Sequence, residues 1–309
     1  MGSQTPPKLP VIDLSKEDLK PGTQNWFSAC KEICQALEEH GCFIVECKDV
    51  SLDLHNRIFD AAKELHDLPI EVKMENISDK PFRGYFSASA VHESLGIDNA
   101  IALDDTQKFT HLMWPHGNDL FCTNANKIAR TMMKLDQMVI RMVFESYGVE
   151  KQYDSHIGST DYVLRFNKYK EYIEDNRGLP IHTDKTFTTI IHQNHINGLE
   201  VQMSDGEWVT YDPPSHSSFL YFAGVAFQVW SNNRIHPCCH RVTLSANEPR
   251  HTLGLVTFHN GVIRVPDQLV DDQHPLKYKQ FDHIDYLRMQ MNYSRTHKGV
   301  YPIEAYCGI

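Results

Sequence analysis

The stretch Leu199-Glu200-Val201-Gln202-Met203-Ser204-Asp205-Gly206-Glu207-Trp208-Val209-Thr210-Tyr211 decides the fold class. Apolar and polar side chains alternate from Leu199 to Met203, the period of a strand with one buried face. Asp205-Gly206 follows, a pair that tolerates the left-handed backbone of a tight turn. Trp208 to Tyr211 resumes a strand-like run, so the stretch reads as two short strands joined by a turn.

Outward from it, the same style continues on both sides. Tyr162–Tyr169, Thr186–His192, Phe219–Phe222, Phe227–Trp230, His240–Leu244 and Thr252–His259 are further strand candidates. Asn197-Gly198, Pro213-Pro214 and Asn260-Gly261 supply turns between them. Many short strands at close spacing point to a sandwich or jelly roll. Before about residue 158 the period is helical. Trp26, Cys30, Ile33 and Leu37 form one stripe, capped by Gly41. Leu52 to Leu65 forms a second helix, stopped by Pro69, and Ile128 to Met142 a third, ending near Gly148. Cys42–Glu46 and Pro10–Leu14 read as strands among these helices. After Pro275 the spacing of Tyr278, Phe281, Tyr286 and Met289 predicts a last helix, a candidate lid. The expected fold class is therefore α+β. Residues 1–309 are read as one compact unit, with a mainly helical part over 1–157, a β-core over 158–265 and a C-terminal helix and tail over 266–309.

The chain has 309 residues, 41% hydrophobic and 23% charged, with a formal net charge of -10. That balance argues against nucleic acid or an anionic membrane as partner, since both require concentrated Lys and Arg. No apolar run is long enough to span a bilayer, and the start lacks the apolar core of a signal peptide. The eight cysteines are scattered without paired C-x-x-C knuckles, which fits reduced thiols in a cytoplasmic protein.

His182-Thr183-Asp184 is the sharpest chemical signal. On a strand, residues two apart share a face, so His182 and Asp184 can address one point. Imidazole plus carboxylate is two-thirds of the 2-His-1-carboxylate triad that leaves positions open on a non-haem Fe(II). With 18 His and 40 acidic residues, roughly two such pairs arise by chance. The second one, His283-Ile284-Asp285, lies in a helical pattern where residues two apart diverge, and we assign it to the surface. His240 lies several strands beyond His182, where a barrel can return the chain to the same mouth. Arg250 and Thr252 share a strand face and can grip a carboxylate, the guanidinium bidentately. An Arg aimed into a barrel without an anion would be costly.

In order, Leu9-Pro10-Val11-Ile12-Asp13, Gly41-Cys42-Phe43, Asn167-Lys168-Tyr169, His182-Thr183-Asp184, Trp230-Ser231-Asn232, His240-Arg241-Val242 and Arg250-His251-Thr252 resemble the plant 2-oxoglutarate/Fe(II)-dependent dioxygenase family. Lys80-Pro81-Phe82-Arg83-Gly84-Tyr85, Leu112-Met113-Trp114-Pro115, Lys185 and Leu269-Val270-Asp271-Asp272-Gln273-His274-Pro275 resemble its AOP-like subgroup, which oxidises specialised metabolites or hormones. The resemblance implies a double-stranded β-helix core of the cupin-like kind. It implies His182, Asp184 and His240 as iron ligands, and Arg250, Thr252, Asn167 and Tyr169 as the 2-oxoglutarate site. It further implies Fe(II), 2-oxoglutarate, O2 and an assisting ascorbate, and a small organic substrate; the sequence does not fix the oligomeric state, and a monomer is the expectation. Succinate and CO2 would leave beside a hydroxylated, desaturated, ring-closed or demethylated product. Three departures stand out: Thr252 replaces a usual Ser, Val225 follows Gly224 where many members have Asp, and Lys170 to Arg177 is charged where a Pro-rich stretch is usual.

Substrate contacts are harder to read. Lys185 either faces the pocket or pairs with a nearby acid. Tyr85, Phe109, Trp114, Phe187 and Val256 either line a cavity or belong to the core, since large apolar residues are mostly buried anyway. The competing functions are a metal enzyme that does not use 2-oxoglutarate and a non-catalytic jelly-roll binding protein.

Overall fold

The computed structural model describes residues 8–171, 177–244, 247–297 and 299–309, the side chains of Ala88 and Arg177 apart. Its strands are β1 (Val11–Asp13), β2 (Cys42–Glu46), β3 (Phe86–Ser89), β4 (His92–Asp98), β5 (Thr160–Tyr169), β6 (Arg177–His182), β7 (Thr188–Gln193), β8 (Leu199–Gln202), β9 (Trp208–Thr210), β10 (Ser218–Ala223), β11 (His240–Thr243), β12 (Arg250–His259), β13 (Val262–Ile263) and β14 (Phe281–Asp282). The helices are α1 (Gln24–His40), α2 (Leu52–Asp67), α3 (Ile70–Met74), α4 (Leu103–Met113), α5 (Asp119–Ser146), α6 (Tyr153–Gly158), α7 (Val225–Trp230), α8 (His283–Thr296) and α9 (Ile303–Cys307).

The helices start and stop where their end chemistry says. Thr23 and Ser51 accept hydrogen bonds from the backbone of Trp26 and Leu54, satisfying N–H groups that the first turns of α1 and α2 leave free. Gly41 ends α1 at φ 71°, a left-handed cap that costs glycine nothing. Asn118 caps the 28-residue α5, whose Ile128, Met132, Leu135 and Val139 are buried.

Two sheets face each other. The larger runs β1-β2-β10-β7-β12-β5-β4-β3, and the smaller runs β6-β11-β8-β9. On the large sheet, Phe43, Leu164, Phe166, Tyr221, Leu253 and Leu255 point towards α1, α2 and α5 and build the main core. The alternate residues point the other way. Ile44, Leu220, Phe222 and Tyr169 meet Leu199, Val201 and Val242 of the smaller sheet, and Tyr211 just past β9, in a second core. The protein thus has the jelly-roll core expected, with helices covering one outer face.

Some elements differ from expectation. Phe227–Trp230 is not a strand but most of α7. All six residues of α7 are buried, and a short apolar run carries no period that separates strand from helix. The helix expected after Pro275 is α8, which begins at His283 rather than near Tyr278, because Asp282 accepts from the backbone of Asp285 and sets the first turn there. Strands β3, β4 and β6 and helix α4 carry no clear period in the sequence: β6 contains Gly178 and Pro180, and β3 and β4 have polar residues at about half their positions.

Candidate active site

His182 ends β6 and His240 begins β11, and the two are direct cross-strand partners. A bulge makes that pairing productive. Between the His240–His182 and Val242–Leu179 pairs, β11 advances two residues and β6 advances three. The extra residue re-aims the strand, so that His182 and Leu179 both face the interior. Pro180, with no N–H to offer a ladder, sits inside the bulge. Asp184 lies beyond the end of β6, in the turn leading to β7, rather than on the strand with His182 as its alternation suggested.

Asp184 Oδ1 is 3.6 Å from His182 Nε2 and 3.9 Å from His240 Nε2. Each imidazole is oriented by a backbone carbonyl two residues earlier: His182 Nδ1 lies 2.8 Å from the Pro180 oxygen, and His240 Nδ1 lies 3.1 Å from the Cys238 oxygen. A carbonyl only accepts, so both Nδ1 atoms carry the proton and both Nε2 lone pairs face the common point. Thr189 donates to Asp184 Oδ2 at 2.7 Å, leaving Oδ1 for the same point. Burial opposes ionisation of Asp184, but His240, His182 and the Thr189 hydroxyl outweigh it and hold the carboxyl below its usual range. Burial pushes His240 down to about 4, which keeps the ring neutral. Two neutral imidazoles and one carboxylate suit a divalent iron and leave half of an octahedron open.

The turn that carries Asp184 is held from two sides. The N–H of Val225 donates to the Asp184 carbonyl at 2.8 Å, a backbone role that does not depend on the residue type at 225. His283 is fully buried, not at the surface as its helical pattern suggested. Its Nδ1 accepts from the His259 N–H at 3.1 Å, so its Nε2 donates to the Lys185 carbonyl at 2.7 Å. Asp285, one helical face away, is exposed.

The other end of the cavity is built on β5 and β12, which pair over ten positions without a break. In that register Tyr169 sits opposite Arg250 and Asn167 opposite Thr252. Asn167 donates to the Thr252 hydroxyl at 3.2 Å and accepts from Ser94 at 2.7 Å. Arg250 is 2% exposed, 5.2 Å above the Tyr169 ring, and donates to Gln193 Oε1 at 2.8 Å. Among the described residues its Nε has no acceptor and no carboxylate pairs with it. Gly198 gives it room: a Cβ there would come within 3.3 Å of Arg250 Cδ. A buried guanidinium without an anion is costly, so the donor set fits the distal carboxylate of a bound diacid.

Both ends open into one cavity of about 370 Å³ between the sheets, lined by all seven residues assigned above to metal and 2-oxoglutarate. Lys185 and Val256 line it too, and Gln290 and Ser294 bring α8 to its wall. Four expected contacts lie elsewhere. Phe187 stacks on Phe227 at 4.4 Å, and Phe109 stacks on Phe121 at 5.9 Å, both in the helix-side core. Trp114 packs on the same Phe121 at 4.8 Å. Tyr85 turns its hydroxyl towards Glu93, 3.4 Å away, while its strand neighbour Phe86 faces the cavity. Arg165, His92, Phe82, Phe86 and Phe258 line the cavity and were missed. Stepping back by two from Tyr169 and Asn167 reaches Arg165, so that one was readable from strand alternation. The charged segment after Lys170 lies mostly outside the described residues.

Comparison with known proteins agrees with this geometry. Residues 160–260 match the family model of the 2OG-Fe(II) oxygenase superfamily, and residues 9–124 match that of the non-haem dioxygenase in morphine synthesis N-terminal region. The chain belongs to the 2OG-Fe(II) oxygenase superfamily and is a 2-oxoglutarate-dependent dioxygenase. Within that class it is similar to the probable 2-oxoglutarate-dependent dioxygenase AOP1.2 of Arabidopsis thaliana, 37% identical over 290 residues that span 91% of this chain and 90% of the relative. The rice dioxygenase for auxin oxidation superposes with a TM-score of 0.80 at 27% identity, covering 98% of this chain and 100% of that one. The Arabidopsis thaliana dioxygenase for auxin oxidation 1, in its 2-oxoglutarate complex, gives 0.77 at 25% identity, covering 87% and 100%.

Proposed function

We propose that this dioxygenase oxidises a small plant specialised metabolite or hormone, with His182, Asp184 and His240 holding Fe(II) and Arg250, Thr252, Asn167 and Tyr169 holding 2-oxoglutarate. Bound iron and 2-oxoglutarate supply the oxidising power, converting O2 and the co-substrate to succinate and CO2 while the organic substrate is hydroxylated, desaturated, ring-closed or demethylated. The chain's own work is placement. Arg250 and Thr252 fix the far carboxylate, Asn167 and Ser94 brace Thr252, and the two carbonyl-held imidazoles keep the metal donors aligned. The inter-sheet walls exclude bulk water and set which C–H bond lies nearest the metal.

The observation that carries this reading is the buried Arg250, without a carboxylate among the described residues, in the same cavity as the His-Asp-His set. All eight cysteines are free, which supports a reducing, cytoplasmic setting. Among the described residues no helix is long and apolar enough to cross a membrane. We read the chain as one catalytic unit acting as a monomer. Anaerobic addition of Fe(II) and 2-oxoglutarate should produce a weak visible charge-transfer band, and air should then release succinate. A protein that binds neither, or one that turns over with zinc in the absence of O2, overturns the reading.

A further inference from the structure

His283-Ile284-Asp285, the second His-x-acid run of the chain, takes no part in the donor set, yet its histidine is 0% exposed. It opens α8 beside the turn between β6 and β7 that carries Asp184. Residues 183–187 of that turn lie outside both ladders, so each carbonyl there needs a partner of its own. Three are held by backbone: the N–H groups of Val225, Ala226 and Gly224 donate to the carbonyls of Asp184, Thr186 and Phe187 at 2.8, 3.2 and 2.9 Å. The Thr183 carbonyl accepts from the side chain of Lys185, within the turn, at 2.9 Å. The carbonyl of Lys185 accepts from His283 Nε2 at 2.7 Å. Among the described residues it is the only carbonyl of the turn held by a side chain from another element.

His283 is itself fixed before it reaches the turn. Its backbone N–H donates to the Gly261 carbonyl, and its Nδ1 accepts from the His259 N–H, both at 3.1 Å. The single ring proton therefore sits on Nε2 and points at Lys185. Burial pushes the ring down to about 4, so it stays neutral in that tautomer near neutral pH. The rings of Phe258 and Phe281, 6.0 and 6.3 Å away, close around it. The carbonyls of Asp184 and Lys185 belong to successive peptide planes. With Val225 pinning the first and His283 the second, the backbone that follows the Asp184 Cα has little freedom to swing. Further along, α8 brings Gln290 and Ser294 to the cavity wall.

We infer that His283 is a positioning residue for the metal end: its bond to the Lys185 carbonyl holds the Asp184 carboxylate at the donor position and ties α8, a wall of the cavity, to that donor. This inference rests on the reading of His182, Asp184 and His240 as the iron site. The Val225 bond runs backbone to backbone and does not depend on side-chain identity, whereas the His283 bond depends on one imidazole. Coupling through such a strut is reciprocal: α8 steadies the metal donor, and bound metal steadies α8.

The test uses the full chain, stripped of metal and titrated anaerobically with Fe(II) at saturating 2-oxoglutarate, with the visible charge-transfer band as readout. His283→Leu should weaken Fe(II) binding about 10- to 100-fold, the usual effect of losing a group behind a ligand. His283→Gln can place an amide N–H near the position of Nε2 and should recover most of that affinity. His283→Asn reaches only the His259 N–H and should bind as weakly as His283→Leu. Leu287→Ala opens a cavity under the same helix without removing either His283 bond; it should lower the melting temperature and leave Fe(II) affinity near the wild type. Fe(II) should also slow hydrogen exchange across α8 in the wild type and not in His283→Leu. Should His283→Leu fail to fold, the Gln and Asn variants decide the matter. Wild-type affinity in His283→Leu or His283→Asn, a Gln variant no better than Asn, an equal loss in Leu287→Ala, or wild-type α8 exchange indifferent to Fe(II) each overturn the inference. A wild type that binds no Fe(II) would instead bring down the reading of the iron site beneath it, and the two failures are separate readouts.

Discussion

The two ends of the cavity are built on opposite plans. The end proposed for the co-substrate rests on two long strands in unbroken register, where Arg250 and Thr252 meet Tyr169 and Asn167 by simple alternation. The end proposed for the metal rests on a short sheet with a bulge, a residue past the strand end, and backbone carbonyls that orient the rings. Regular pairing is enough to hold a linear diacid by one end. Three donors converging on a point need irregular backbone, because a regular strand spaces its side chains in a line.

The contrast can be broken most severely at the metal end. Asp184→Ala or His240→Ala should abolish Fe(II)-dependent succinate release, with the 2-oxoglutarate grip still folded. A succinate assay with an anaerobic iron titration checks this, and normal turnover in either variant would refute the assignment. At the other end, Arg250→Met should weaken 2-oxoglutarate binding at least about 30-fold, from the roughly 2–5 kcal/mol lost when one partner of a buried charged pair is truncated. Without ligand, the same variant should melt no lower than the wild type, because a desolvated unpaired charge has gone. Added 2-oxoglutarate should then raise the melting temperature of the wild type only. A clear drop in the ligand-free melting temperature would show that the guanidinium has a structural anion.

Smaller changes sharpen the comparison. Thr189→Val removes the donor to Asp184 Oδ2 and should cost about 10- to 100-fold in iron affinity, as loss of a partner behind a ligand commonly does, with 2-oxoglutarate contacts intact. Equal iron affinity would mean that the carboxylate needs no such support. Asp136 tests the core behind the same turn. Its buried carboxyl is pushed up to about 6 by burial, although Thr188, Tyr221 and Tyr162 donate to it. A raised folded value favours the protonated form, so this contribution to stability is present below the ordinary carboxylate range and lost as pH rises through about 6. Asp136→Asn stays neutral. Its stability relative to wild type should therefore improve between about pH 4 and about pH 7, by on the order of 1–3 kcal/mol, and level off above. Denaturant melts across that range decide it, and a constant gap would mean that the native carboxyl titrates normally.

What was legible in the chain follows the same divide. Alternation placed Arg250 with Thr252, and Asn167 with Tyr169, on shared strand faces, because β5 and β12 are regular and these residues are two apart. His182 and Asp184 were paired on the right grounds of proximity but on the wrong element, since nothing in Pro180-Ile181-His182 announces a bulge. Helix α8 taken alone gives His283 the pattern of a surface residue. Its burial comes from packing against β12 and the Lys185 turn, a tertiary contact with no local signal. Phe109, Trp114 and Phe187 show the limit from the other side. An aromatic is equally at home in a core or a pocket, and only the position of α4, α5 and α7 decides between them.

The ladder between β5 and β12 acts as a reading frame for the protein's chemistry. Inserting or deleting one residue within either strand would turn Arg250 or Tyr169 to the helix side and bring Leu253 or Phe166 into the ligand's place. Variation at this end is thus confined to substitution, whereas the β6 side already tolerates an odd residue. Length changes that diversify what the enzyme accepts therefore belong in the turns and edges around the cavity, and the grip on the shared co-substrate has to be inherited in phase.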